Sequence, residues 1–332
     1  MTVVVGRTGP GAGRTPGVCA ALPARLMPML SRYGLYLFVL VFLLVAAIAA
    51  PAFLSRSNLS NLVLQIVPLA IVACGQAVVI LVKGLDLSVS SVMATAAVVA
   101  TSFSGHNADI LLIVLVSIGV GFSAGLVNGF LVVKRNVSPF LATLATMIVL
   151  QGLRFAWTHG APSGLMPPLL HSIGAGTWGF VPMNLPVLLA VAIPLAFVLH
   201  RTTLGRRVVI TGGNPMTGRL LGYPVDAIVI GAYVVSGVLA AIAGIVLGGY
   251  AQIVDNWVGR GFELDSIVAA VLGGFALSGG RGTVAGAIAG SVVLVLAANI
   301  VLLIGLPVQF QIILKGLVIV FAAAAYAKRK GE

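Results

Sequence analysis

Long apolar runs alternate with short polar stretches along the chain. A helix needs about 20 apolar residues to cross the hydrocarbon core of a bilayer, and most of the runs come close to that length. They predict ten membrane-spanning helices, at 33–54, 61–82, 88–104, 110–133, 139–158, 185–200, 227–250, 266–277, 283–304 and 308–327. The eighth run is too short to cross unaided, so it extends into its flanks, is a broken helix, or re-enters the membrane.

The positive charges predict an orientation, because cytoplasmic loops of membrane proteins carry an excess of Lys and Arg. With the N-terminus in the cytoplasm, 15 of the 19 Lys and Arg residues fall on the inner side: Arg7, Arg14, Arg25, Arg32, Lys83, Lys134, Arg135, Arg201, Arg206, Arg207, Arg219, Arg281, Lys328, Arg329 and Lys330. Only Arg56 and Arg260 are clearly outside, and Arg154 and Lys315 lie within spans. The tryptophans agree, since Trp157, Trp178 and Trp257 fall at or beyond outer ends, where amphipathic rings favour the interface. Both termini are therefore expected in the cytoplasm.

Composition supports a membrane protein over a soluble one. Apolar residues make up 60% of the chain, charged residues 8%, and the mean hydropathy is +1.15. Soluble domains carry about 25% charged residues, so a chain this poor in charge has little with which to cover a water-facing surface. The net charge of +12 does not indicate nucleic-acid binding, because the charges lie in short gaps between apolar runs. The sequence therefore predicts an all-α polytopic membrane protein.

Three segments follow from this pattern. Residues 1–32 are rich in Arg, Gly and Pro without an apolar period, and are predicted to form a disordered cytoplasmic arm. A cleaved signal peptide is the competing interpretation, since Ala47-Ile48-Ala49 has the small-residue spacing of a cleavage site, but such a leader would be unusually long. Residues 33–327 form the predicted transmembrane domain, and residues 328–332 form a cytoplasmic tail.

Two similar stretches predict an internal repeat. Residues 84–87 read Gly-Leu-Asp-Leu and residues 261–264 read Gly-Phe-Glu-Leu, the first at the inner face and the second at the outer face. Similar segments in opposite orientations are typical of the inverted repeats that build alternating-access transporters. Glycines at every fourth residue also predict two helix faces that a neighbouring backbone can approach, either as fixed packing or as a sliding contact during gating: Gly121, Gly125, Gly129 and Gly282, Gly286, Gly290.

The chain lacks the motifs of common enzyme classes. It contains no GxxxxGK(S/T) phosphate-binding loop, no HExxH and no GxSxG. Its two cysteines, Cys19 and Cys74, have neither zinc-type spacing nor the pattern of a disulfide framework. We therefore expect no enzymatic activity in this chain, no bound metal and no cofactor.

Three local patterns resemble one family of membrane proteins. Residues 84–90, Gly-Leu-Asp-Leu-Ser-Val-Ser, resemble the GxDLSVGS signature of ribose-, xylose- and galactose-type ABC permeases, with Ser90 where glycine is usual. Residues 212–222 resemble that family's large cytoplasmic loop, with Thr217-Gly218 where an Ala-Ala pair is usual, and residues 261–283 resemble its C-terminal signature. The signature residues are Gly84, Asp86, Leu87, Ser88, Glu263, Asp265, Gly279, Gly280 and Gly282. Order and spacing agree over roughly residues 58 to 326.

The resemblance implies the permease subunit of a bacterial importer, in the cytoplasmic (inner) membrane, for a sugar or a related small polar solute. Such a permease receives its substrate from a periplasmic binding protein and is driven by a separate cytoplasmic ATP-binding subunit. It works with a second permease chain, identical or homologous, in membrane lipid. The alternative is an ion- or proton-coupled secondary transporter, which would place acidic or His residues deep in its spans. None of the 7 acidic residues is at mid-span in this assignment, which favours the importer.

The acidic signature residues have two interpretations each. A carboxylate at mid-bilayer costs about 2.5–3.5 kcal/mol, so Asp86 is expected at a face, in a polar cavity or paired. Asp86 or Ser88 caps the third span, or Asp86 takes part in gating or substrate contact. Glu263 and Asp265, near Arg260, either cap the eighth span or meet a soluble partner.

A sugar pathway needs amides, hydroxyls and aromatic faces rather than charges. Gln151, Arg154 and Trp157, in the outer half of the fifth span, are the predicted pathway residues together with Asp86. Interhelical hydrogen bonds explain most of the other polar residues within spans, which are Gln65, Gln76, Asn128, Thr143, Thr146, Asn299, Gln309 and Gln311.

Two connections are candidates for partner contacts. In the longest inner connection, Asn214 is a favoured N-cap, Pro215 suits the first helical position and Gly222 is a natural stop. These residues predict a short surface helix over 215–221, with Arg219, that contacts the ATPase; anchoring to anionic headgroups is the alternative. The outer stretch 158–184, which carries no Lys or Arg, is predicted to help dock the binding protein.

Overall fold

The computed structural model describes residues 51–103, 105–161, 164–307, 309–313 and 315–316. Within these residues the regular secondary structure is helical apart from one β pair. The α-helices are α1 (Arg56–Leu81), α2 (Val89–Thr101), α3 (Ile110–Lys134), α4 (Pro139–Thr158), α5 (Pro168–Ala175), α6 (Leu185–Arg201), α7 (Thr203–Gly213), α8 (Pro215–Leu220), α9 (Val225–Ala251), α10 (Phe262–Leu272) and α11 (Val284–Leu303). Strands β1 (Thr177–Trp178) and β2 (Val181–Pro182) pair antiparallel. The predicted arm, most of the first and tenth spans, and the predicted tail lie outside the described residues.

Among the described residues, five helices are long and apolar enough to cross a membrane: α1, α3 with the 3-10 turn Asn107–Asp109 before it, α4, α9 and α11. A sixth crossing results if α6 and α7, which are bent by 73° relative to each other, form one broken span. The prediction of an all-α protein with several membrane-spanning helices is therefore confirmed, whereas the count of ten crossings stays a prediction.

Two of the predicted spans are short helices. α2 has 13 residues and α10 has 11. At about 1.5 Å per residue they measure roughly 20 Å and 16 Å, well below the hydrocarbon core of about 30 Å. The third run, predicted as a span over 88–104, is helical only over 89–101, because the chain bends at 102–103 and again at 105–106. The eighth run begins four residues earlier than predicted and gives way to turns after Leu272.

The core forms around α1 and α9. α1 is buried over residues 67–81, and α9 packs on α1, α2, α3 and α5. A Cβ on Gly121 of α3 would collide with the Gly237 carbonyl of α9, and one on Gly125 would collide with the Tyr233 carbonyl. The first glycine string therefore packs α3 against α9, as predicted.

The second glycine string packs α11 against α10. A Cβ on Gly286 would collide with the Gly273 carbonyl, and one on Gly290 with the Ala269 carbonyl. Gly282, which the spacing placed in the same helix, lies instead in the turn before α11, which begins at Val284. Thr283 ends this turn because its hydroxyl caps α11 by accepting from the Gly286 N–H at 3.1 Å.

Candidate functional site

Three stretches that are far apart in sequence meet beyond the C-terminal end of α1. Lys83 Nζ donates to the Gly213 carbonyl at 3.0 Å, and the Gly280 N–H donates to the Leu81 carbonyl at 2.9 Å. These residues belong to, or adjoin, the three stretches 84–90, 212–222 and 261–283 that carry the family resemblance. We call the following residues the signature node: Leu81, Lys83, Gly212, Gly213, Gly279 and Gly280.

The signature node requires glycine because three backbones approach closely. A Cβ on Gly212 would collide with the Leu81 carbonyl, and a Cβ on Gly280 would lie 2.9 Å from the Gly213 nitrogen. Gly279 and Gly280 also have φ angles of +81° and +72°, where a side chain is strained. Any larger residue at these positions would push the three stretches apart.

Asp86 is fully buried and lies three residues beyond Lys83. Its Oδ1 accepts from the Ser88 N–H at 3.0 Å and from the Ser88 hydroxyl at 2.6 Å. The Ser88 hydroxyl accepts from Asn128 Nδ2 of α3 at 2.9 Å, and Asn128 Oδ1 accepts from the Thr146 hydroxyl of α4 at 2.6 Å. With its nitrogen toward the Asp86 carbonyl, the Gln76 amide of α1 bonds the Asp86 backbone at 3.0 and 3.2 Å. We call these five residues the Asp86 network.

The Asp86 network supports the start of α2. Ser88 is the N-cap residue of α2, but its side chain makes no capping hydrogen bond. Capping of the third span by the Ser88 hydroxyl is therefore wrong, because that hydroxyl is used between Asp86 and Asn128. Asp86 accepts from the Ser88 N–H instead, so it fixes the backbone at this helix start.

Three further buried polar atoms lie beside the network: Asp86 Oδ2, the Tyr233 hydroxyl and the Ser236 hydroxyl. None of them makes a well-formed hydrogen bond among the described residues, although the Ser236 hydroxyl faces the Asp86 carboxylate and the Tyr233 hydroxyl faces the Leu85 backbone. Tyr233 and Ser236 lie on α9, and both are fully buried. A buried polar group without a partner costs about 1–3 kcal/mol. The set contains one acceptor and two hydroxyls, which are suited to bind water or a hydroxyl-rich solute.

Arg154 of α4 is buried, and protein groups use most of its donors. Nη1 donates to the Ser91 carbonyl at 3.2 Å and to the Thr95 hydroxyl at 3.3 Å, both on α2. Nη2 donates to the Asn256 carbonyl at 2.9 Å. Arg154 therefore joins α4 to α2 and to the loop before α10.

The four predicted pathway residues do not form one site. Asp86 and Arg154 both hold α2, but through different contacts. Trp157 is 59% exposed and Gln151 is half-buried. No hydrogen bond among the described residues joins either of them to Asp86 or Arg154.

The predicted surface helix is present as α8, which ends at Leu220, one residue earlier than expected. Asn214 is its N-cap, since its Oδ1 accepts from the N–H groups of Met216 and Thr217 at 3.0 and 3.3 Å. Pro215 occupies the first helical position, where no N–H is needed. The prediction for the start of this helix is confirmed.

Gly222 ends α8 as predicted. It has a φ of +74°, and its N–H donates to the Arg219 carbonyl at 3.0 Å. The Tyr223 N–H donates to the Gly218 carbonyl at 3.0 Å, which completes a Schellman motif. These bonds make α8 a rigid unit despite its length.

The surface of α8 combines apolar and basic groups. Met216 and Leu220 are 61% and 77% exposed. Arg219 Nη2 lies 3.6 Å from Asp226 Oδ1 at the start of α9, and Asp226 also pairs with Lys134 of α3 at 2.6 Å. α8 is thus held to the transmembrane helices while its apolar side chains stay open to a partner.

Glu263 and Asp265 occupy the first turn of α10. Glu263 Oε2 accepts from the Gly261 N–H at 2.9 Å, which is the capping contact that the sequence allowed. Asp265 pairs with Lys315 at 2.5 Å. Arg260 contacts neither acid, because its guanidinium lies over the Trp257 ring, 5.0 Å from the centroid.

The stretch 158–184 contains regular structure that its sequence did not predict. It includes α5, which packs on α9, and the β1–β2 hairpin. Trp178 and Phe180 of the hairpin are 83% and 70% exposed. The result is an apolar projection between α4 and α6.

Sequence patterns missed three residues of the site. The sequence pattern indicates Lys83 only as an inner charge, and it does not distinguish Tyr233 or Ser236 from other residues of the span. A tyrosine well inside a span, rather than at its end, was the available signal for α9. Among the described residues no group of three or more His, Cys, Asp or Glu side chains could hold a metal ion.

Comparison with known proteins gives one consistent family. Residues 58–323 match the family model described as "Branched-chain amino acid transport system / permease component". The ribose import permease protein of Escherichia coli (strain K12) is 35% identical over 295 residues, covering 88% of this chain and 92% of that protein. The galactose/methyl galactoside import permease protein of the same organism is 33% identical over 322 residues, covering 90% of this chain and 95% of that protein. The L-arabinose transport system permease protein of Escherichia coli (strain K12) is 32% identical over 299 residues, covering 88% of this chain and 89% of that protein. No solved structure matches the chain.

Proposed function

The chain belongs to the family of permease components of the branched-chain amino acid transport system type, and we propose that it is the membrane-spanning subunit of an ATP-driven importer for a sugar. The observation that carries this proposal is its similarity, over nearly the whole length of each, to permeases named for ribose, galactose and arabinose. The substrate is a neutral monosaccharide or a related small polar solute. The chain itself is not an enzyme.

The proposed partners follow from this function. A cytoplasmic ATP-binding subunit supplies the energy, a periplasmic binding protein delivers the sugar, and a second permease chain completes the pore in the inner membrane. Ten crossings with both termini in the cytoplasm remain the proposed topology. In that topology the signature node and α8 face the cytoplasm, and the β1–β2 hairpin faces the periplasm.

We propose α8 as the ATPase contact. Its capped ends make it rigid, Met216 and Leu220 offer apolar side chains, and Arg219 adds a charge. Anchoring to anionic headgroups explains the arginine but not the closed N-cap and Schellman motif. The exposed hairpin residues Trp178 and Phe180 are the proposed contact for the binding protein.

The hydrogen bonds of Arg154 and Asp86 change which of the four predicted pathway residues we propose to contact the sugar. Because the Arg154 guanidinium is held by backbone carbonyls, it is proposed to position α2 rather than to touch the sugar. Gln151 and Trp157 remain candidates for direct contact. Asp86 Oδ2, with the hydroxyls of Tyr233 and Ser236, is a second candidate, and it is buried where residues 84–86 meet α9.

Reconstituted transport tests the function. The permease is placed in liposomes with its ATPase and loaded binding protein, and uptake of labelled ribose, galactose, arabinose and leucine is measured. We expect uptake of a sugar that requires ATP, with Arg219→Glu lowering both uptake and stimulated ATP hydrolysis while the permease still inserts. Uptake driven by an ion gradient without the ATPase would support the secondary transporter instead. Uptake of leucine alone would overturn the sugar assignment.

A further inference from the structure

Lys83 occupies a backbone position that normally belongs to glycine. It follows the C-cap residue of α1 and has a φ of +63°. Its N–H donates to the Ile80 carbonyl at 3.0 Å, and the Gly84 N–H donates to the Val79 carbonyl at 2.9 Å. This is a Schellman motif, in which the left-handed residue is usually glycine because a side chain is strained there. A lysine at this position therefore carries backbone strain that a glycine would avoid.

That side chain reaches the base of α8. The Lys83 ammonium donates to the Gly213 carbonyl at 3.0 Å, and Gly213 directly precedes Asn214, the N-cap of α8. Gly213 is also the last residue of α7, so the ammonium bonds the junction between the two helices. Because both ends of α8 are closed by hydrogen bonds, a displacement of α8 moves this junction with it.

Asp86, the centre of the Asp86 network, lies three residues after Lys83 in the same loop. Residues 82–88 are not helical, so their conformation depends on hydrogen bonds at both ends. At one end is the Lys83–Gly213 contact, and at the other Asp86 is held by Gln76 and Ser88. Ser88 continues through Asn128 of α3 to Thr146 of α4. A continuous set of contacts thus joins α8 to α2, α3 and α4.

We propose that Lys83 is a positioning residue that transmits the movement of α8 to the 82–88 loop and so to the start of α2. The proposal rests on the proposed function of α8 as the ATPase contact. When the ATPase displaces α8, the Gly213 carbonyl carries the Lys83 ammonium with it. The 82–88 loop then shifts, and with it the start of α2 and the contact of Gly84 with Tyr233 of α9. The Gly280–Leu81 bond adds a second attachment, from the turn before α11.

Three variants separate transmission from stability. Lys83→Met keeps most of the side-chain length but removes the donor, Lys83→Arg keeps a donor, and Lys83→Gly removes the side chain while relieving the backbone strain. Arg135→Met is the matched control, since Arg135 is an exposed cation that stacks on Phe130 and does not touch the 82–88 loop. Each variant is tested as the full chain assembled with the ATPase and loaded binding protein.

We expect the amount of sugar imported per ATP hydrolysed to fall roughly 2- to 30-fold in Lys83→Met and Lys83→Gly. Single substitutions along a network that couples two sites typically change the coupling by this factor. Basal ATP hydrolysis and assembly stay at the wild-type level, Lys83→Arg recovers most of the ratio, and Arg135→Met does not change it. Lys83→Gly melts no lower than the wild type, so its loss cannot come from unfolding. A wild-type ratio in both Lys83→Met and Lys83→Gly overturns the proposal.

A second measurement does not depend on transport. Amide hydrogen exchange of residues 82–88 is followed in the full-length permease in lipid nanodiscs, without partners. Lys83→Met is expected to exchange faster over this stretch, and Arg135→Met is expected to match the wild type. Unchanged exchange in Lys83→Met contradicts the proposed link to the loop even if the sugar assignment is correct. Faster exchange with no sugar uptake by the wild type would contradict the proposed function but keep the link.

Discussion

The two similar motifs, at 84–88 and 261–266, lie in different surroundings. Asp86 is fully buried, and its network reaches α1, α3 and α4. The Glu263 carboxylate accepts from the Gly261 N–H two residues before it, and Asp265 pairs with a lysine that is itself partly exposed. Similar short sequences thus start two short helices, but distant residues decide whether the acid is part of a buried network or of a helix end.

What the motifs share is the architecture around them. A residue of positive φ lies at or directly before each motif: Lys83, at +63°, precedes the first motif, and Gly261, at +97°, is the first residue of the second. Each leads into a short helix, α2 or α10, that packs on the next long helix. In both pairs the long helix, α3 or α11, carries glycines in close helix contacts. This correspondence agrees with the hypothesis of an inverted repeat, in which the buried network is present at the first motif.

The largest expected effect is topological, because an inverted repeat requires the two motifs to lie on opposite sides of the membrane. In a background without Cys19 and Cys74, Ile253→Cys reports the side of the second motif and Met216→Cys the side of the signature node. Both positions are well exposed, at 77% and 61%. An impermeant maleimide on intact cells is expected to label Ile253→Cys, and to label Met216→Cys only after permeabilisation.

Leu220→Cys, on the same helix as Met216, is the control and should behave like it. Labelling of both motifs from one side would refute the inverted repeat and the proposed ten crossings together. On intact cells we expect full labelling of Ile253→Cys and no labelling of Met216→Cys or Leu220→Cys.

The two acids should also differ in their contribution to stability. Asp86→Ala leaves the Ser88 N–H and hydroxyl without their acceptor, which costs about 1–3 kcal/mol for a buried donor. Glu263→Ala removes a single contact of the capping type, worth about 1 kcal/mol or less at a partly exposed site. The difference is measured by SDS titration of the folded protein in mixed micelles, with Asp86→Asn as the isosteric control. Equal destabilisation by Asp86→Ala and Glu263→Ala would mean that the buried network adds nothing.

Sequence patterns predicted the local elements well and the long-range contacts poorly. The cap, proline and glycine around α8 act within one or two turns, so Asn214, Pro215 and Gly222 could be assigned from the sequence alone. The Lys83–Gly213 contact joins residues 130 positions apart, and no periodicity encodes it. The length of α2 was overestimated because apolar composition continues where turn residues stop the helix. Asp265 was placed near Arg260 by sequence distance, whereas folding brings Lys315 to it.

The smallest expected effect concerns that last contact. Asp265 and Lys315 pair at 2.5 Å with side chains 15% and 33% exposed, so they are shielded more than a surface pair. Exposed pairs contribute about 0.2–1 kcal/mol, and the partial burial places this pair near the upper end of that range.

A double-mutant cycle of Asp265→Asn and Lys315→Met, followed by the same SDS titration, isolates the coupling from the cost of each change alone. The cycle of Lys134→Met and Asp226→Asn is the control, since that pair is 52% and 39% exposed and should couple less. A coupling at Asp265–Lys315 no larger than in the control would mean that this ion pair does not help the second motif to hold the segment that carries Lys315. A larger one would show that both motifs use their acid to fix a neighbouring segment, one through a buried network and the other through an ion pair.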